Sequence, residues 1–304
     1  MSPRRLVLPL LAALALAVSA ISPGRDLPQL VTPAPLPVRA VAAVPLRADP
    51  QFVPKPRPTD PPVDKRKLTQ AVRRLLKSRP GRTSISVEDL HTGRVFRFGA
   101  NTVLPTASVA KVDILMALLL DERWDRLPRS VKRDAEIMIR HSDNKAADRL
   151  WERIGREGGL ARANKVFGLK ATTAVPGRCV DLYCWGITRT TADDQVRLLR
   201  YLPRLGDGDV VRRLMRRVVP EQKWGVSAGA CAGERVALKN GWLKHVANDL
   251  WAITSVGLIA DRYAVAVLTE DNATSEAGIA KVEKLVERVL DGFRECGSQG
   301  VTSR

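Results

Sequence analysis

The chain has 304 residues, 45 % of them apolar, a formal net charge of +18 and only 5 % aromatic residues. That length buries a sizeable core in one or two domains. The basic residues are scattered rather than clustered with aromatics, which argues against nucleic acid as a partner and points to anionic envelope polymers instead.

Residues 1–20 read as a secretory signal peptide: Arg4 and Arg5 form the charged start, Leu6 to Val18 the apolar centre, and Val18-Ser19-Ala20 a small-residue cleavage site. Left uncleaved, the same segment would act as a membrane anchor. The flanks of Arg4-Arg5 match a twin-arginine signal poorly, so the general secretory route is expected. The expected location is therefore secreted or extracytoplasmic. Residues 21–64 hold 12 of the 20 prolines and read as an extended, semi-rigid linker. The folded domain is expected over residues 65–297, as a monomer.

In that domain, Leu68, Val72, Leu75 and Leu76 recur at helical spacing, and Arg79-Pro80-Gly81 ends the helix. Ser84 to Leu90 alternates like a strand, His91-Thr92-Gly93 turns, and Val95 to Phe98 returns. After Pro105 an apolar run opens on Thr106-Ala107-Ser108-Val109-Ala110-Lys111 and continues through Leu120. The run contains Lys111 and Asp113 and is too short for a membrane span, which needs ~20 apolar residues. It predicts a buried helix with Ser108 and Lys111 at i and i+3.

Helices are expected at 130–140, from Ala146 to Ile154, from Leu160 to Phe167, after the capping Thr191, and from Val210 to Val218. His141-Ser142-Asp143-Asn144 breaks the first two, and 171–190 reads as a loop. Strands at Arg235–Leu238, Trp251–Ile259 and Ala264–Thr269 precede a terminal helix over 276–293. The class is α+β: one antiparallel sheet flanked by the terminal helices, plus an all-helical insert, with a cleft between them.

The chemistry gathers in three stretches. A buried lysine loses its charge readily, and a serine hydroxyl needs such a base before it attacks a carbonyl. Ser108-x-x-Lys111, Ser142-Asp143-Asn144 and Lys239-Asn240-Gly241 occur in that order: on a buried helix, in a loop between helices, and at the end of a strand. Each alone reads as a cap or a turn. Together they resemble the class A β-lactamases and the penicillin-binding D,D-peptidases, whose signature is Ser-x-x-Lys, Ser-Asp-Asn and Lys-Thr-Gly. The resemblance covers about residues 66–296 and implies a three-layer αβα fold. It implies that Ser108 is acylated by an amide carbonyl, Lys111 takes its proton, and Ser142 passes a proton to the departing nitrogen. Asn144 would hold the substrate and brace Lys111, and Lys239 would face the substrate carboxylate. The backbone N–H groups of Ser108 and Trp242 would hold the oxyanion, beside Gly241. The implied substrates are β-lactams or stem peptides of the D-Ala-D-Ala type, with no cofactor and no metal.

The pattern departs from the family at two points. Asn240 stands where the family has Thr or Ser; its amide N–H would have to replace that hydroxyl. Class A β-lactamases also carry a glutamate that activates the deacylating water, whereas residues 171–190 hold no glutamate and Asp181 as their single carboxylate. These departures favour a second reading on the same fold, a catalytically weak envelope-binding protein.

Four cysteines suit an exported chain with disulfides and allow three pairings. Cys179 and Cys184 lie in one loop and could close a small ring, leaving Cys231 with Cys296. The alternating direction of the last three strands and the terminal helix places Cys231 and Cys296 at one end of the sheet, in keeping with that pairing. Gly225-Val226-Ser227-Ala228-Gly229 matches a nucleophile elbow in letters only: a strand, not a helix, follows it. His141 and His91 read as loop and turn residues, and Asn272-Ala273-Thr274 as a formal glycosylation sequon.

Overall fold

The computed structural model describes residues 62–175 and 184–296. Helix α1 (Lys65–Lys77) starts at Asp64, whose carboxylate accepts from the Lys67 N–H at 2.9 Å. Strands β1 (Thr83–Asp89) and β2 (Val95–Phe98) form a hairpin. A short strand β3 (Leu104–Pro105) leads through a 3-10 turn (Ala107–Val109) into α2 (Ala110–Asp121). Helices α3 (Arg129–Arg140), α4 (Asn144–Arg153) and α5 (Arg156–Phe167) follow. Next come β4 (Arg189–Thr190), α6 (Ala192–Tyr201) and α7 (Gly208–Met215). The chain then returns to the sheet with β5 (Val236–Lys244), β6 (Trp251–Ile259) and β7 (Tyr263–Asn272), and closes with α8 (Ser275–Leu290).

The main sheet is antiparallel, in the order β2-β1-β7-β6-β5, so β5 is an edge strand. Its two faces pack two separate cores. Ile85, Val87, Ile253, Val265 and Val267 pack with Leu68 and Val72 of α1 and Val282, Leu285 and Val289 of α8. The opposite parity, including Ala237, Val256, Ala264, Ala266 and Leu268, packs on the helical part around α2. The sheet is thus the middle of three layers, and β1 is buried along its whole length because both of its faces are covered. Cys231 and Cys296 are joined, with their Cα atoms 5.4 Å apart. Cys179, Asp181 and the side chain of Cys184 lie outside the described residues.

Several boundaries differ from the sequence expectation. Ser108 sits in the 3-10 turn, two residues before the first residue of the α-helix, because β3 is held by β4 and the chain must turn before the helix can begin. The Lys239-Asn240-Gly241 stretch lies inside β5 rather than at its end: pairing to β6 continues to Lys244 opposite Trp251. The seventh helix stops at Met215. The presumed loop 171–190 contributes the strand that pairs with β3.

Candidate active site

The strand leading to Ser108 is fixed from two sides. The Thr106 N–H donates to Thr188 O at 2.8 Å, and the Thr254 hydroxyl of β6 donates to Thr106 O at 3.0 Å. Ala107, just before the serine, has φ +47°, and Ser142 has φ +59°. A left-handed backbone at a residue with a side chain costs free energy of order 1 kcal/mol or more and persists only where the surroundings impose it. One such residue precedes the candidate nucleophile, and the other shares its lysine. Ser142 turns the chain between α3 and α4, and the Asp143 carboxylate caps α4 through the Ala146 N–H at 2.7 Å.

Lys111 is fully buried at the centre. Its Nζ lies 3.1 Å from Ser108 Oγ, 3.0 Å from Ser142 Oγ, 2.6 Å from Ser142 O and 2.8 Å from Asn144 Oδ1. The Trp185 ring covers it with its centroid 4.6 Å away, and the Trp185 indole N–H is anchored on Asp148 at 2.8 Å. Burial lowers the lysine to about 7, with the charges of Asp143 and Asp148 opposing the shift.

Lys239 is also fully buried. It donates to Ser142 Oγ at 3.1 Å, Gln222 Oε1 at 3.2 Å and Asn240 O at 2.8 Å. Burial, and then the nearby charge of Lys111, hold it well below the usual lysine range. Ser142 therefore bridges two lysines of weakened proton affinity. Ser108 and Ser142 are both half-buried.

Strand parity separates Lys239 from its neighbour. Asn240 points to the α8 face, where its amide N–H groups donate to Gln222 O (2.8 Å) and Trp224 O (3.0 Å). Its carbonyl accepts from Ser255 Oγ at 2.6 Å, and the residue is fully buried. Those donors are spent inside the fold, so the expected replacement of a threonine hydroxyl by the Asn240 amide is not what this geometry provides. Gly241 faces Ser108: a Cβ placed on it would lie 2.7 Å from the Ser108 nitrogen and 2.6 Å from Thr254 Oγ1. Glycine is what lets β5 approach the serine backbone this closely. Trp242 follows and is 43 % exposed.

The other candidates stand apart. Ser227 lies in a 3-10 turn (Gly225–Gly229), and its hydroxyl donates to Lys223 O at 3.1 Å. His141 caps α3 and His91 occupies an exposed turn. Asn272 is buried, with its amide on Trp251 O and Thr269 Oγ1, which removes it as a glycan acceptor. No group of three or more His, Cys, Asp and Glu that could hold a metal occurs among the described residues. Trp185 and Gln222 are site residues that motif reasoning did not name; neither belongs to a local pattern, and only the tertiary fold brings them to the lysines.

The arrangement is a buried amine touching a half-exposed serine, bridged to a second amine by a second hydroxyl. Family-model matching places residues 67–130 and 127–293 in a family described as "Beta-lactamase enzyme family". The chain belongs to the beta-lactamase enzyme family. Among curated relatives it is 29 % identical over 221 residues to "Putative lipoprotein LppW" of Mycobacterium tuberculosis and Mycobacterium bovis, a match covering 65 % of this chain and 67 % of that protein. Among solved structures, the TLA-1 extended-spectrum β-lactamase matches with a TM-score of 0.65 at 16 % identity, covering 75 % of this chain and 98 % of that one. PBP-A, in a mutant form held as its acyl-enzyme complex with penicillin G, matches with a TM-score of 0.63 at 22 % identity, covering 78 % and 99 %. The α+β fold is that of the beta-lactamases. The Cys231–Cys296 bond is consistent with an extracytoplasmic beta-lactamase-family protein, and no helix among the described residues is long and apolar enough to cross a membrane.

Proposed function

We propose that the chain is an exported, penicillin-recognising serine hydrolase that forms an acyl-enzyme at Ser108 with β-lactams or with cell-wall peptides of the D-Ala-D-Ala type. The observation that carries this reading is the contact of Lys111 Nζ with Ser108 Oγ at 3.1 Å, where burial lowers the lysine to about 7. Neutral Lys111 takes the hydroxyl proton as Ser108 attacks, and Ser142, touching both lysines, returns a proton to the departing nitrogen. The N–H groups of Ser108 and Trp242 hold the oxyanion, and Asn144 keeps Lys111 in place while facing the substrate. Lys239 supplies the positive field for the substrate carboxylate. Asn240 acts as a positioning residue for the Gln222–Trp224 segment. The relation to LppW, named a lipoprotein, supports an envelope location, in keeping with a signal over 1–20 and a linker over 21–64.

Covalent labelling by a fluorescent penicillin or a fluorophosphonate tests the assignment. Ser108→Ala should abolish it and Ser227→Ala should leave it intact; equal labelling of Ser108→Ala and the parent chain overturns the reading in favour of a binding protein on this fold. Acylation should also outpace deacylation, because residues 171–190 carry no glutamate. Losing a positioned base costs ~10²–10⁴-fold in rate. A β-lactam should therefore give a burst of one equivalent followed by slow turnover, with the burst unchanged in Asp181→Asn. Rapid turnover with no burst would show that another residue activates the water.

A further inference from the structure

On the α8 side of β5 lies a trough of about 450 Å³. Trp224, Trp242 and Trp251 line it with Ile279, Gln222 and one carboxylate, Glu221. Three of the chain's six tryptophans thus gather at one place in a protein poor in aromatics. The Trp224 and Trp242 rings are 6.4 Å apart and tilted by 54°, within the range of an aromatic pair. No basic residue is among those that line the trough.

Gln222 is the wall shared with the acylating site, since its Oε1 accepts from Lys239 Nζ, which in turn reaches Ser142 Oγ at 3.1 Å. Its backbone carbonyl and that of Trp224 accept from the Asn240 amide. In the function proposed above, Ser142 protonates the leaving group; this inference rests on that assignment. Ser142 is thus linked through Lys239 to Gln222, which lines the trough. We propose that the trough receives the side chain of the leaving amino acid, so that the preferred substrates release a residue with an aromatic side chain rather than alanine. Lys239 keeps the carboxylate of that residue, while a lining with no basic residue and with Glu221 rejects a second carboxylate. A trough of about 450 Å³ admits an aromatic side chain, and the exposed Trp242 gains most by being covered.

Two thioesters with the same benzoylglycyl acyl part test this. One releases D-thiolactate, the counterpart of alanine; the other releases its 3-phenyl derivative, the counterpart of phenylalanine. The phenyl thioester should acylate Ser108 about tenfold faster or more in kcat/KM. Trp224→Ala should remove that advantage while leaving the thiolactate rate within about twofold. Ile279→Trp, which fills the trough, should do the same and guards against a misfolded alanine variant. Ligand-observed NMR on Ser108→Ala measures binding without chemistry and should show the same preference. Equal rates and equal binding for the two thioesters overturn the inference. Preferential binding of the phenyl compound with no acylation of Ser108 by either upholds the trough and overturns the acyl-enzyme reading instead.

Discussion

A lysine surrounded by four oxygen acceptors cannot donate to all of them. Lys111 faces Ser108 Oγ, Ser142 O, Ser142 Oγ and Asn144 Oδ1, and an ammonium carries three protons. Neutral, it carries two protons and one lone pair. The Ser142 carbonyl and the Asn144 carbonyl can only accept, so they take the protons, and the lone pair is left for a hydroxyl. The shift of Lys111 to about 7 makes that form available near neutral pH. A base works when unprotonated, so acylation should fall about tenfold per pH unit below about 7 and level off above it. Stopped-flow rates of β-lactam acylation from pH 5 to 8 measure this; a flat profile removes Lys111 as the base. Lys111→Ala should cost ~10²–10⁴-fold in the same rate.

At the scale of elements, β5 does two things with alternate residues. Lys239 and Gly241 serve the cleft, while Asn240 and Trp242 serve the α8 face. Asn240 is a structural bracket: it ties the segment before β5 to the strand and, through Ser255, to β6. The threonine of the family motif has one hydroxyl, too few groups to satisfy both carbonyls. Asn240→Thr should therefore leave a buried acceptor unpaired and cost about 1–3 kcal/mol of stability. Urea unfolding reads the loss. An Asn240→Thr variant as stable as the parent would show that the segment finds other partners.

At the scale of the molecule, the terminal parts of the chain close the fold. The helix α1 begins it and α8 ends it on the same face of the sheet, and the Cys231–Cys296 bond ties the approach to β5 to the end of α8 across a separation of 65 residues. A crosslink of that span removes unfolded-chain entropy worth about 2–4 kcal/mol. Chemical unfolding with and without reductant should show a loss of that size, and Cys296→Ser should reproduce it. Equal midpoints in the two conditions would mean the layers hold without the bond. Because the site is built where the sheet meets the helical part, a weakened sheet edge should lower acylation before the helices melt.

Local chemistry was legible in the sequence because it depends on residue types at short spacing. Ser108 and Lys111 fall one turn apart, Asp143 caps the next helix, and the strand and helix periods separate the terminal parts from the helical insert. The count of cysteines left three pairings open; the strand directions were in keeping with Cys231–Cys296, and the structure shows that bond. What the sequence could not show was which face of β5 each residue meets. Asn240 and Lys239 are neighbours in the chain, yet the pleat sends one toward Ser255 and the other toward Ser142, and only the packed layers on either side give those directions meaning. Trp185 and Gln222 belong to no local motif and reach the two lysines only through long-range packing. The left-handed backbone at Ala107 and Ser142 is likewise imposed from outside, by β3 and β4 and by the junction of α3 and α4. The residues of the chemistry are written along the chain; their distances, their burial and so the proton affinity of Lys111 are set by the fold.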